Sequence, residues 1–369
     1  MADLEGRLER ARHVLGEQDV DALLVGPSAD LYWLVGYRAL PLERLTLLVV
    51  PAVGSPALVV PELEAPRARA SGAGELVEIL TWQEHEDPVA TVTRLLVASG
   101  CSPHGRLAVQ DRLWSVFLLR LQSALPGTAW VPGGDISREL RICKSQDEIA
   151  ALRAAAVAID RVHRRVPGFL HPGRSEIAAA RDIAEAILEE HEQVNFVIVA
   201  SGPNGASPHH ETGDRMLEAG DAVVVDIGGT RDGYCSDMTR NYVIGSVPEG
   251  YRELHEVLEA AQQAGVEAVR PGVPAQEIDA CCRRILTDAG YGEMFIHRTG
   301  HGIGVEEHEE PYLVAGNEEP LRRGMAFSIE PGIYIPHRYG ARIEDIVVVT
   351  GGGAERLNHE PRGIHEVPI

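Results

Sequence analysis

Two stretches of this chain share a layout that constrains the fold more than any other feature. Gly220-Asp-Ala-Val-Val-Val-Asp226 and Gly324-Met-Ala-Phe-Ser-Ile-Glu330 each open with glycine and end an apolar run in a carboxylate. A second acid then returns in each, Asp237 11 residues after Asp226 and Glu344 14 residues after Glu330. The segments ahead also match. Ser145 and Glu148 form a capping box for a helix whose period runs through Ile149, Leu152, Ala156, Ile159 and Val162. Pro172-Gly173-Arg174-Ser175-Glu176-Ile177 leads into a second helix ending near His191, and a strand follows over 196–200. Downstream, a helix over 250–269 ends in Pro271-Gly272, and Glu277-Ile278 opens another that runs through Leu286. The unit helix–helix–hairpin thus recurs after about one hundred residues, a spacing longer than the roughly 20–50 of solenoid repeats. Two copies closing face to face bring four carboxylates together.

The first hairpin shows what that implies. Ala222 to Asp226 is β-branched, Gly228, Gly229, Asp232 and Gly233 supply turn chemistry, and Tyr234 to Val243 is extended again. A turn centred near Arg231 and Asp232 puts Asp226 opposite Asp237, about 4.5–5.5 Å apart at Cβ. Carboxylates that close repel unless a cation lies between them, and a hard divalent ion suits oxygen ligands. For one hairpin a solvated charged rim explains the pair equally well. Recurrence of the acids at matching places in matching halves argues against that.

At 369 residues the chain exceeds one typical core. The N-terminal part reads as a three-layer α/β domain over residues 1–135, with strands at 22–25, 45–50, 57–60 and 107–109 and helices at 3–17, 28–36, 88–98 and 113–124. Tyr32, Trp33 and Trp114 there read as core or interface. The turn at 131–136 marks the boundary, and residues 136–369 form the second domain. A net charge of −21 argues against nucleic-acid binding and against docking on anionic membranes. No apolar run reaches membrane-spanning length. The five cysteines are scattered without a CxxC pair, and the N-terminal segment is charged, so a cytoplasmic protein is expected.

A carboxylate cluster that binds metal also wants an imidazole. His301 lies in Thr299-Gly300-His301-Gly302-Ile303-Gly304, where small neighbours let the backbone pass close to a ligand. His308 follows in Glu306-Glu307-His308-Glu309-Glu310-Pro311-Tyr312, and Ser207-Pro208-His209-His210 lies upstream. These residues carry a resemblance. ASPH at 206–209, VDIG at 225–228, SDMTR at 236–240, GHGIG at 300–304, SIEPG at 328–332 and RIED at 342–345 resemble the pita-bread metallopeptidases: Xaa-Pro dipeptidase, aminopeptidase P and, more distantly, methionine aminopeptidase. SADLYWLVGYR at 28–38 is similar to the creatinase-type N-terminal domain of that family.

The resemblance implies a mixed α/β and α+β chain: a creatinase-like domain and an internally duplicated pita-bread catalytic domain. It implies that Asp226, Asp237, His301, Glu330 and Glu344 bind two divalent metals, with Asp226 on one, His301 and Glu330 on the other, and Asp237 and Glu344 bridging. Manganese is expected, with cobalt or zinc as alternatives. His209 and His308 match histidines that contact substrate and stabilise the tetrahedral intermediate, Glu330 is the expected proton shuttle, and Arg342 matches an arginine that pairs with acidic neighbours. The implied reaction is hydrolysis of the Xaa-Pro bond by a metal-bridged hydroxide, on proline-containing dipeptides or short peptides, in a homodimer. Some prolidases carry an arginine four residues after the position of His308 for the substrate carboxylate; here that position is Tyr312. Arg322, Arg323 and Arg338 are the candidates to replace it. Dipeptidase is the leading expectation and Xaa-Pro aminopeptidase the alternative. A metal-free creatinase-like enzyme or a binding protein is the reading from another class.

Overall fold

The short β-branched runs near the N-terminus pair as their composition predicts. The protein, described over residues 3–369 by a computed structural model, divides into two units between Arg141 and Ile142. In the first unit, the described residues form a six-stranded sheet in the order Glu78–Trp82, Ala57–Pro61, Leu47–Pro51, Ala22–Val25, Arg106–Val109, Ala129–Pro132. Ala22, Leu24, Leu47 and Val49 point at Val89, Val92 and Leu96 of the Pro88–Ala98 helix and at Phe117 and Leu121 of the Ser115–Ala124 helix. The alternate residues Leu23, Val25, Leu48 and Val50 are equally buried, so both faces of the sheet are covered. Ser28 caps the Ala29–Val35 helix, and Gly36 ends it at φ 72°, a conformation open to glycine. Trp33 joins the core, whereas Trp114 is 44% exposed and stacks on Phe117.

The unit boundary lies beyond the turn at 131–136 that marked it in the sequence. The Gly134–Arg141 helix belongs to the first unit, because Arg10 of the Leu4–Glu17 helix donates to the Leu140 carbonyl (2.8 Å) and Arg141 pairs with buried Asp30 (2.6 Å).

The second unit repeats itself down to single hydrogen bonds. The Gln146–His163 helix, with both arms of the Ser145–Glu148 capping box made, precedes the Glu176–Glu190 helix and the strands Gln193–Ser201, Ala222–Arg231 and Tyr234–Ile244. The Tyr251–Ala268 and Ala275–Asp288 helices precede the sheet Glu309–Leu313, Gly300–Gly302, Ala326–Ile329, Asp345–Val349, Ala354–Arg356. In the first copy Gly173 N–H donates to the Leu217 carbonyl and Leu217 N–H to that of Arg174. In the second, Gly272 donates to Leu321 and Leu321 to Val273. Gly220 and Gly324 share one left-handed turn, φ 91° and 89°.

The hairpin register differs from the expected one. The turn residues are Asp232 and Gly233, both at positive φ, so Arg231 pairs with Tyr234 and Asp237 lies opposite Gly228. Asp226 faces Thr239 instead. The slip is an even one, which leaves both aspartates on the same face of the ladder, now diagonal neighbours. In the second copy, Ile329 pairs with Asp345 and Gly332 with Arg342. That register carried across the gap sets Glu330 opposite Glu344.

Candidate metal centre

The four acids and His301 converge at the floor of a cavity of about 490 Å³, also lined by His209, His297, Arg298, Glu307, His308 and Arg342. Ligand atoms of Asp226, Asp237 and Glu344 lie within 4.8 Å of one another. The same holds for His301, Glu330 and Glu344, and for Asp237, His301 and His308. The hairpins therefore do meet, as the duplication predicts.

Two of the acids, Asp226 and Glu344, are each held through one oxygen while the other oxygen stays free. Asp226 Oδ2 accepts from Arg342 Nη2 (2.6 Å), and Glu344 Oε2 accepts from Thr239 Oγ1 (2.7 Å). Asp226 Oδ1 and Glu344 Oε1 are buried with no hydrogen-bond partner. Unpaired buried oxygens of charged groups are costly, which points to a missing positive group. Arg342 also reaches Thr239 Oγ1 (3.1 Å), Tyr334 Oη (2.9 Å) and the Pro208 carbonyl (3.4 Å). One guanidinium thus braces both halves of the duplication.

His301 supports the same conclusion. Its Nδ1 faces the Gly302 carbonyl at 3.1 Å, an acceptor only, so Nδ1 carries the proton and Nε2 presents a lone pair. That lone pair looks at Glu330 Oε1 (3.4 Å) and Asp237 Oδ2 (3.6 Å). Burial and the neighbouring His308 push His301 down to about 3, so the imidazole is neutral and repels both carboxylates. Burial, then Glu344 and Asp226, push Asp237 well above the usual carboxylate range; burial, then Glu330 and Asp226, do the same for Glu344. Burial lifts Glu330 to about 7. A divalent cation reverses the sign of every one of these interactions. The donor set, carboxylates plus one neutral imidazole, fits such a cation.

The glycines around His301 are sterically required. A Cβ at Gly300 would collide with the Ser328 carbonyl, and one at Gly302 with the Glu310 carbonyl. The close packing lets Ser328 Oγ accept from His301 N–H (3.0 Å) and donate to Glu330 Oε1 (3.2 Å).

The histidines outside the cluster take different places. The ring of His308 lies 4.0 Å from that of His301, centroid to centroid, at the cavity edge. His209 is exposed on the cavity wall, at the end of a loop that Glu176 anchors through Ser201, Asn204 and His210. The arginines named as replacements at the substrate end are elsewhere. Arg322 pairs with Glu319, Arg323 is exposed, and Arg338 lies over Tyr339; none lines this cavity. The cavity cation that sequence reasoning missed is Arg298, three residues before His301.

This geometry agrees with the comparisons. The family model for metallopeptidase family M24 matches residues 150–351, and that for the creatinase/prolidase N-terminal domain matches residues 7–143. The chain belongs to metallopeptidase family M24, with a creatinase-type N-terminal domain, and is a metal-dependent exopeptidase. It is 50% identical over 366 residues to the probable dipeptidase PepE of Mycobacterium tuberculosis, covering 98% of this chain and 96% of the relative. The crystal structure of dipeptidase PepE from Mycobacterium ulcerans superposes with a TM-score of 0.93 at 50% identity, over 99% of this chain and 98% of that one. Recombinant prolidase from Thermococcus sibiricus gives 0.92 at 34% identity, over 99% and 100%. X-Pro aminopeptidase from Thermotoga maritima gives 0.86 at 27%, over 98% and 99%.

Proposed function

We propose that the protein is a dinuclear metal-dependent Xaa-Pro dipeptidase. The observation that carries this reading is the pair of partnerless buried oxygens, Asp226 Oδ1 and Glu344 Oε1, among four acids and a neutral imidazole. Relatives named dipeptidase or prolidase are nearer in identity than the X-Pro aminopeptidase, which favours the dipeptidase over that alternative. The same acids and imidazole argue against a metal-free enzyme.

In this reading Asp226 would help hold one ion and His301 and Glu330 the other, with Asp237 and Glu344 available to both. Two divalent ions held there would supply Lewis acidity and lower the pKa of a bound water towards about 7. The rest is the work of the chain. Arg342 fixes Asp226 so that Oδ1 points into the cluster. His308, whose pKa burial and Arg298 lower, stays neutral and offers an N–H to the oxygen that gains charge, an effect typically worth about 3–4 kcal/mol. Glu330, hydrogen-bonded to Ser328 and facing the cavity, carries the proton to the leaving proline nitrogen. His209, which also lines the cavity, orients the substrate.

Manganese is the expected metal, on the oxygen-rich donor set. Five cysteines with no disulfide among the described residues support a reducing compartment such as the cytoplasm. Exposed Trp114, Val116 and Leu119 support a homodimer formed through the N-terminal unit, which sedimentation analysis tests. For the activity, Asp237→Ala and Glu344→Ala should each lose bound manganese and Ala-Pro hydrolysis together. Full activity of Glu344→Ala protein after chelation would overturn the metal assignment. Faster cleavage of Ala-Pro-Gly than of Ala-Pro would favour the aminopeptidase instead.

A further inference from the structure

Arg298 is the cavity's uncommitted cation. Arg342, the other arginine lining the cavity, is spent on Asp226, Thr239, Tyr334 and the Pro208 carbonyl. The Arg298 guanidinium, by contrast, makes no ion pair or side-chain hydrogen bond among the described residues. It lies over the Tyr312 ring, 4.3 Å from guanidinium carbon to centroid. Arginines elsewhere in this acidic chain commonly sit on carboxylates, as Arg141, Arg215, Arg240 and Arg283 do.

The backbone that carries Arg298 is nonetheless fixed on both sides. Asp279 Oδ1 accepts from Thr299 N–H (3.0 Å) and Thr299 Oγ1 (2.8 Å). Arg283, held by Asp279, donates to the Phe295 and His297 carbonyls. The His297 ring faces the Arg298 carbonyl through Nδ1 (2.7 Å) and Tyr334 Oη through Nε2 (2.8 Å). A rigid main chain, a ring that orients the fork, and no acidic partner make a preorganised anion receptor.

We infer that Arg298, propped on Tyr312, receives the free C-terminal carboxylate of the dipeptide and so makes the enzyme select two-residue substrates. The inference rests on the dipeptidase reading and supplies what that reading lacks, a cation at the substrate's far end. Tyr312 occupies the place of the arginine expected four residues after His308, and it holds a guanidinium that arrives from another segment. A fork-shaped donor pairs with a carboxylate through two parallel bonds, whereas a C-terminal amide offers one neutral oxygen and a competing N–H₂.

The test compares manganese-loaded wild type, Arg298→Met and Arg298→Lys on Ala-Pro and on its amide, Ala-Pro-NH₂. Wild type should prefer the free acid, and Arg298→Met should cut the ratio of kcat/KM for acid over amide by roughly 30-fold or more, chiefly through KM for the acid. Arg298→Lys should recover part of the ratio, because it keeps the charge without the fork. Manganese content of each variant separates a lost receptor from a disturbed site; if Arg298→Met loses metal, the lysine variant decides. Cleavage of Ala-Pro by wild type with an unchanged ratio in both variants refutes the inference and leaves the dipeptidase reading standing. Wild type that cleaves neither compound refutes both.

Discussion

Replacing Glu176 with alanine should weaken the fold and the activity together, although Glu176 touches no proposed ligand. Its side chain is fully buried. It accepts from Ser201 N–H (2.7 Å), Ser201 Oγ (2.6 Å), Asn204 Nδ2 (3.1 Å) and His210 Nε2 (2.8 Å). These bonds tie the start of the second helix to the loop that presents His209. Burial alone would raise the Glu176 pKa, but the bonds from Ser201, His210 and Asn204 outweigh it and hold the carboxyl below its ordinary 4.5. Alanine strands the buried Ser201 N–H at about 1–3 kcal/mol, while the Ser201 hydroxyl keeps its bond from Arg215 (2.6 Å) and Asn204 and His210 can turn towards water. A loss of about 1–3 kcal/mol is a sizeable part of a typical domain's stability. Urea unfolding of wild type and Glu176→Ala measures it, and kcat/KM for Ala-Pro in the absence of urea reads the displacement of His209. The sign with pH follows from the lowered value. The carboxylate's contribution is complete above 4.5 and is lost as pH falls through the lower folded value, so the two urea midpoints should converge in that acid window. A variant with the wild-type midpoint and the wild-type kcat/KM at neutral pH refutes the reasoning.

Other perturbations probe the interior around the site. Burial and Arg240 push His163 down to about 3, and its nitrogens face Tyr242 Oη and the Met238 carbonyl. Between the unfolded value of 6.5 and that low folded value the unfolded chain binds a proton the fold refuses, so stability falls with falling pH by about 1.4 kcal/mol per unit. His163→Gln should flatten the urea-midpoint profile between about pH 6 and 4 by that slope; an unchanged slope contradicts the assignment. Arg240→Met should cost about 3 kcal/mol in urea, because it takes the guanidinium from Oδ1 of fully buried Asp345 and leaves Arg356 and Gln262 at Oδ2 alone. Chelation should lower the thermal midpoint and added manganese restore it, since the ions bind the folded state alone. A midpoint indifferent to both would count against the metal centre.

What the sequence disclosed depended on the length of the signal. The capping box at Ser145 and Glu148, the helix at 28–36 and the long amphipathic helices were legible because local chemistry alone determines them. The duplication was legible because many residues repeat it. The Asp226–Asp237 register was displaced because it hung on which pair of residues forms the turn, and Asp232 takes positive φ despite its side chain. The edge strands Glu78–Trp82 and Ala129–Pro132 went unread, since their partly exposed residues give little apolar alternation. Arg298 left no pattern at all. It is a single residue beside the GHGIG motif, and only the fold shows that its neighbours Phe295, His297 and Thr299 are clamped while its own side chain stays uncommitted.

The duplication explains where the site is, and the breaks in the duplication explain what it can do. Both halves send two acids from a hairpin to the same point, which by itself gives only mutual repulsion. The halves then part. The first half's Asp226 is short and already shares one oxygen with Arg342, leaving a single free oxygen. The second half's Glu330 is longer, leaves the sheet at the gap between two ladders, and stands beside His301, which has no counterpart in the first half. The two proposed ion positions are therefore chemically unlike, one facing a braced aspartate and the other a neutral imidazole with a mobile-proton carboxyl. In the proposed reading most substrate contacts also come from the second half, since Arg298, His308 and Tyr312 lie between its helices and its closing hairpin, while the first half contributes His209. A symmetric frame sets the acids, and in the proposed reading one half's connecting segment would set the direction in which a dipeptide lies across them.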